Sequence, residues 1–239
     1  MIDRIAKSAY VAVMRVARGV VKPLGLLGWL ERRKGQTARW LRSLFAIHDI
    51  DDMVRLDLPW WTFRAIDAAE NFLAGRPDAR VFEFGSGAST LWLAKRAAGV
   101  ISVDHDAGWH DLVRGRLPET GNVTLVMRPA DPGAPDPAYL SEKSGYGGQS
   151  FQAYASEIDH HEGLFDLIVI DGRARVACLR HALAKRAPGG MILFDNSGRA
   201  RYRDAIDGSG LAVRRLGGLT VALPVGDETT LLGESGNAG

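Results

Sequence analysis

Apolar and polar positions fall into two patterns along the chain. Before residue 50, apolar side chains recur at helical spacing among basic ones. Residues 5–21 (IAKSAYVAVMRVARGVV) predict one helix, which Lys22-Pro23 interrupts. Leu24 to Leu30 add a short apolar run, and Gln36 to Ala46 predict a second basic helix carrying Trp40, Leu41, Leu44 and Phe45. From about residue 58, short and nearly all-apolar runs alternate with amphipathic stretches. Pro59 opens a helix from Trp60 to Ala74, which Gly75 and Pro77 stop. The runs at 80–84, 100–104, 123–127, 165–171 and 191–195 predict strands, with helices at 89–98, 110–117, 151–158 and 175–186 between them. Leu211 to Leu216 and Thr220 to Leu232 predict a closing hairpin. Apolar strands alternating with helices imply an α/β fold whose parallel sheet is covered on both faces. The boundary falls near residue 50: a basic amphipathic helical extension over 1–50 and the main domain over 51–239.

Charge sharpens that division. The 239 residues carry a net charge of only +2. Through Arg42, however, ten lysines and arginines face two acids, a balance of +8, and the remaining 20 basic and 26 acidic residues balance at −6. Basic segments bearing Trp, Leu and Phe suit the interface of an anionic membrane, so residues 1–45 are candidates for peripheral membrane contact. Two helices packed on the main domain or on a partner, with their basic faces merely solvated, are the alternative. No apolar stretch reaches the roughly 18 residues of a membrane span. The arginines and the missing small-residue cleavage site argue against a secretory signal. A single cysteine, Cys178, excludes a disulfide framework and fits a reducing, cytoplasmic setting. Nothing accompanies the basic arm that would read nucleic acid, so no nucleic-acid partner is expected.

The chemistry concentrates at strand ends. Glu83-Phe-Gly85-Ser86-Gly87-Ala-Ser89-Thr90 lies between the first strand and its helix. Glycines there let backbone approach a ligand. Asp104 follows Gly85 by 19 residues at the end of the next strand, where a carboxylate can accept both hydroxyls of a ribose. A nucleotide-like ligand follows. A pyrophosphate would be repelled by Glu83, and a dinucleotide fingerprint would place Gly or Ala where Thr90 stands; a cationic ligand suits the carboxylate. The long Pro- and Gly-rich loop from Arg128 to Ser150 sits at the same sheet edge, with Tyr139, Tyr146 and Gln149 as candidate acceptor contacts.

These segments (VFEFGSGAST, VISVDHD, FDLIVIDG and APGGMILFDNS) resemble those of class I S-adenosylmethionine-dependent methyltransferases over about residues 58–232. The resemblance implies a Rossmann-like, doubly wound, mostly parallel seven-stranded sheet with an antiparallel last strand. It implies that Glu83, Gly85, Ser86, Gly87, Ser89 and Thr90 surround the methionine part of S-adenosylmethionine. Asp104 would hold the ribose, His105 would lie against the adenine, and Asp131 would read its amino group. Asp171, at the end of the fourth strand, and Arg173 are the candidate catalytic residues, orienting an acceptor for methyl transfer to oxygen.

A narrower likeness is to catechol-type metal-dependent O-methyltransferases, in which residues placed like Asp171, Asp195 and Asn196 bind Mg²⁺. The lysine base of those enzymes is replaced here by Ala174; Arg173 and Arg175 flank it as clamps for an acceptor carboxylate or phosphate. A metal-free site in which Asp195 and Asn196 orient the substrate is the alternative. The acceptor is expected to be a small molecule, glycan or lipid. An NAD(P)-dependent oxidoreductase and a non-catalytic nucleotide-binding module docked through the N-terminal helices are the rival functions. His160-His161-Glu162 reads as solvated surface, Trp60-Trp61 as core, and Cys178 as a small buried side chain.

Overall fold

The computed structural model describes residues 4–33, 35–47, 49–117, 119, 121–141 and 145–234, with side chains from residue 9 onward. The sheet has the expected topology. Seven strands lie in the order β3-β2-β1-β4-β5-β7-β6, where β1 is Arg80–Phe84, β2 Gly99–Asp104, β3 Val123–Met127, β4 Phe165–Ile170, β5 Arg186–Phe194, β6 Ala212–Leu219 and β7 Gly226–Gly233. β1 to β5 pair in parallel, and β7 runs antiparallel to both β5 and β6. The chain reverses its winding between β1 and β4, the switch point at which open α/β sheets bind ligands.

Alternation along each strand decides what each face buries. Val81, Leu167, Val169 and Leu193 point to one side, under α5 (Phe63–Ala74) and α6 (Ala88–Ala94). Phe82, Phe84, Ile168, Ile170 and Phe194 point to the other. Helices α8 (Gln152–Ala155), α9 (Arg175–Lys185) and α10 (Ala200–Asp207) cover that second side. A helix and a strand depart from the expected boundaries for local reasons. Asp106 caps α7 (Ala107–Arg114) by accepting the Trp109 amide at 2.8 Å, which starts it three residues earlier than its apolar positions suggest. The strand expected at 191–195 extends back to Arg186 through Pro188-Gly-Gly, with a register shift against β4 between Phe165 and Leu167.

The extension forms α1 (Arg4–Val21), α2 (Leu26–Glu31) and α3 (Gln36–Leu44), and leads into α4 (Ile50–Leu56), which the apolar pattern does not announce. Tyr10, Val11, Met14 and Trp40 pack against the α5–α6 side of the core, together with buried Ile47, Ile50 and Met53. A charged cluster ties these helices together. Buried Arg42 donates to both oxygens of buried Asp52 at 2.7 and 2.9 Å and to Glu31 at 2.6 Å. Arg55 bridges the same two acids, and Arg18 reaches Asp49 and Asp52. Burial pushes the Asp52 carboxyl up, and the Arg42 and Arg55 guanidiniums more than cancel it, leaving it below the usual range. Glu31 is held down at about 2, chiefly by Arg55.

Removing one partner of a buried pair strands the other charge. Arg42→Ala should therefore cost about 3–5 kcal/mol in urea unfolding, Asp52→Asn less, and the double variant clearly less than the sum. Strict additivity would show that the pair is not coupled.

Candidate functional site

The site is built where strand ends meet. Beyond the last residue of β1, the Gly85 amide donates to the Val103 carbonyl at 2.9 Å, and the Asp171 amide donates to Phe84 at 2.9 Å. Gly85 has φ +102°, and a Cβ there would stand 2.8 Å from the Asp171 carbonyl oxygen. Only glycine fits that approach. Opposite, a Cβ on Gly172 would overlap the Tyr154 hydroxyl. The chain ends of β1, β2, β4 and β5 thus open onto one cavity of about 1140 Å³, which Gly85, Asp104, Asp171 and Asp195 all line.

One half of the cavity lies over the β1–α6 turn. Gly85, Ser86, Gly87, Ser89, Asp104, His105, Asp106 and Trp109 line it with Trp60, and no lysine or arginine is among them. Asp104 is nearly buried; its carboxylate accepts the amides of Ser86 at 3.0 Å, His105 at 2.7 Å and Asp106 at 2.9 Å. Trp109 donates its indole N–H to the Ser86 carbonyl at 2.6 Å and packs 6.0 Å from Trp60. Trp60, expected in the core, is a cavity wall; its neighbour Trp61 is the core residue. His105 stands edge-on to Tyr146, Phe151 and Tyr154 and accepts from Arg173 Nε at 3.0 Å.

Glu83 and Thr90 lie beneath the turn rather than on the cavity wall. Thr90 Oγ1 accepts the Gly87 amide at 2.9 Å and donates to Glu83 Oε2 at 2.5 Å, while Ser102 Oγ donates to the same oxygen at 2.6 Å. Glu83 Oε1 is buried without a hydrogen bond. Burial raises this carboxyl to about 7, against the nearby hydroxyls of Ser102, Ser89 and Thr90, which pull it down; the Asp171 charge raises it further.

The other half is rich in arginine. Arg173, Arg175, Arg180, Arg199 and Arg201 line it, with Asp171, Asp195, Asn196 and Asp227. Arg175 is buried and donates to Asp171 Oδ1 at 2.8 Å and to the Asp195 carbonyl. Arg173 lies over the Tyr146 ring at 4.3 Å. Asp195 accepts from Thr229 Oγ1 at 2.8 Å; burial, reinforced by the Asp171 charge, pushes its carboxyl up, with Arg175 and Thr229 opposing. Asn196, in the left-handed region at φ 51°, donates to Asp227 at 2.9 Å and accepts from Arg199 at 3.2 Å.

The residues expected to bind Mg²⁺ do not fit it. Asp171 and Asp195 are brought together, but the Arg175 guanidinium sits between the Asp171 carboxylate and the Asp195 carbonyl, and Asn196 is committed to Asp227 and Arg199. A buried cation already balances the site that Mg²⁺ would balance. Among the described residues no group of three or more His, Cys, Asp or Glu side chains could hold a metal ion.

Other expectations are corrected as well. Asp131 does not line the cavity: it accepts from Ser150 Oγ at 3.0 Å and from the amides of Gln152 and Ala153, capping α8. Of the loop residues, Tyr146 lines the cavity; Tyr139 packs on His181 instead, and Gln149 is not on the wall. Part of that loop, 142–144, lies outside the described residues. Trp109, Arg199, Arg201 and Asp227 went unread in the sequence, since nothing local distinguishes them from surface residues of amphipathic helices and a hairpin.

Residues 82–197 match the family model described as a methyltransferase domain. No curated protein matches the chain. Among solved structures, a methyltransferase-like protein from Silicibacter pomeroyi is 21% identical, with 74% of this chain and 90% of that one covered and a TM-score of 0.47. TrmN from Thermus thermophilus is 20% identical over 70% of this chain and 47% of its own, with a TM-score of 0.49. An amino pentose methyltransferase from Micromonospora echinaspora, bound to S-adenosylmethionine, is 16% identical over 79% and 97%, with a TM-score of 0.47. That match covers a little under half of the chain and lies on β1 to β5 of the sheet, so residues 82–197 are similar to a methyltransferase domain and the strand order is that of a Rossmann-like fold.

The Glu83 carboxyl gives a signed prediction. Its folded value lies above the ordinary 4.5, so the folded state holds its proton more tightly than the unfolded chain. The ligand-free protein should be most stable with respect to this group below about pH 4.5, lose stability as pH rises to about 7, and level off above. Urea titrations across that window should show the fall in the wild type and a flatter profile in Glu83→Gln; parallel profiles would contradict the burial argument.

Proposed function

We propose that the domain transfers the methyl group of S-adenosylmethionine to an oxygen of an acceptor that carries an anionic group, within the class of small molecules, glycans and lipids. The observation that carries this reading is the uneven charge around one cavity: Asp104 and Asp106 beside the β1–α6 turn, where Arg173 reaches only His105, and five arginines with Asp171, Asp195 and Asp227 around the ends of β4 and β5. A cationic sulfonium and ammonium suit the first half. Gly85, Ser86, Gly87 and Ser89 would line the methionine part. Asp104 would take the ribose hydroxyls and His105 the adenine side. Glu83 and Thr90 would act as positioning residues, holding the turn from below.

In the second half Arg173 and the exposed Arg180, Arg199 and Arg201 would receive the acceptor's carboxylate or phosphate. Asp171, fixed by Arg175, would accept the hydrogen bond of the hydroxyl to be methylated. In the transfer the S–CH₃ bond breaks as the O–CH₃ bond forms, S-adenosylhomocysteine leaves as a neutral thioether, and the hydroxyl proton departs to solvent. The protein contributes alignment, since the sulfonium is already a strong donor. Arg175 takes the balancing role here, so no metal enters this reading.

Transfer of labelled methyl to a panel of hydroxylated carboxylates and phosphates, each beside its neutral analogue, tests it. Anionic members should be preferred, and Arg199→Ala or Arg201→Ala should raise the acceptor KM about tenfold with little change in the cofactor's. Equal use of neutral analogues would refute the acceptor class.

A further inference from the structure

Among the described residues, seven of the nine exposed large apolar side chains lie between Val13 and Leu41. Helix α1 explains the concentration because it is apolar on two sides. Tyr10, Val11 and Met14 pack inward, and Arg18 is bound to Asp49 and Asp52. On the opposite side Val13, Val16 and Val20 recur at three- and four-residue intervals and are 62, 72 and 59% exposed, followed by Leu24 at 75%. Trp29 and Leu26 continue the exposed run into α2. A contiguous outward apolar stripe of this kind is uncommon on a domain that is alone in water.

Its surroundings identify the occupant. Arg15, Lys22, Arg32 and Arg33 are exposed along the same segment, and the Arg33 guanidinium lies over the Trp29 ring at 4.7 Å. Glu31 is the one acid among the described residues of α1 and α2, and Arg42 and Arg55 already bind it. A second copy docking face to face would set cation against cation. An anionic bilayer meets both features at once, taking the valines and Trp29 into the acyl boundary and the arginines among its headgroups. No helix is long and apolar enough to cross a membrane. We infer that the outward face of α1 and α2 is a docking surface for an anionic membrane, on which the domain lies without spanning it. The next helix of the extension, α3, reaches the cavity wall. Trp40 donates to the Leu223 carbonyl at 2.9 Å and Ser43 Oγ accepts the Ala222 amide at 2.9 Å, while Ile47, Ala222 and Leu223 all line the cavity wall.

Co-sedimentation of the full chain with phosphatidylcholine vesicles carrying about 30% phosphatidylglycerol tests this, with pure phosphatidylcholine vesicles as control. The wild type should pellet with the anionic vesicles and partition roughly tenfold less onto the neutral ones. The triple variant Val13→Asp/Val16→Asp/Val20→Asp should lose roughly tenfold or more in partition while its thermal unfolding midpoint stays put. Wild-type protein left in the supernatant of anionic vesicles, or a folded triple variant that pellets equally well, would overturn the inference. So would a wild-type dimer that the triple variant turns monomeric, which would assign the face to a second copy. The readout is partition, so it stands or falls apart from methyl transfer.

Discussion

The close approach of Gly85 to the Asp171 carbonyl governs the site. With φ +102° and room for no Cβ, Gly85 lets β1 and β4 end almost in contact. Everything chemically distinctive is referenced to that junction. Glu83 is locked below it by Thr90 and Ser102, Asp104 is tied across it through the Ser86 amide, and Asp171 emerges on its far side. Because main chain rather than mobile side chains sets this spacing, the two halves of the cavity keep a fixed separation, as alignment of two reactants demands.

Arginine carries the electrostatics at both ends of the molecule. Arg175 is buried between Asp171 and the Asp195 carbonyl, where a divalent cation would otherwise be the natural balance. Arg42 does the same for Asp52 in the extension and so joins α2 to α3 and α4. In each place the buried charge is one half of a hydrogen-bonded pair, which the low-dielectric interior tolerates when a lone charge would not be. The basic residues that face solvent are Arg180, Arg199 and Arg201 at the cavity and Arg15, Lys22 and Arg33 with their neighbours on the extension.

The parallel sheet and both of its covered faces were legible because Val81, Phe82, Ile168 and Ile170 belong to apolar runs that only a two-sided parallel sheet can bury. The ends of those runs were legible too, since Glu83, Gly85, Asp104 and Asp171 break the apolar pattern where function needs them. What stayed hidden has a common cause. Helix α10 buries only Tyr202 and Ile206 among charged residues, so its periodicity is faint. The placement of Arg175 against the Asp195 carbonyl joins residues 20 apart through tertiary geometry, which the resemblance to catechol-type enzymes, with its implied metal site, did not contain. Asp131 looked like a ligand contact because capping of α8 depends on a chain reversal that local composition does not encode. The extension was ambiguous between packing and membrane contact, and helix α1 shows why: one face packs and the other is exposed.

Calorimetric titration with S-adenosylmethionine, S-adenosylhomocysteine and NAD bears most directly on the unevenly charged cavity. Both adenosyl compounds should bind in the micromolar range, Asp104→Ala should abolish their binding while unfolding as cooperatively as the wild type, and NAD should give no heat. Tighter binding of NAD, or a folded wild type that binds neither adenosyl compound, would contradict the account.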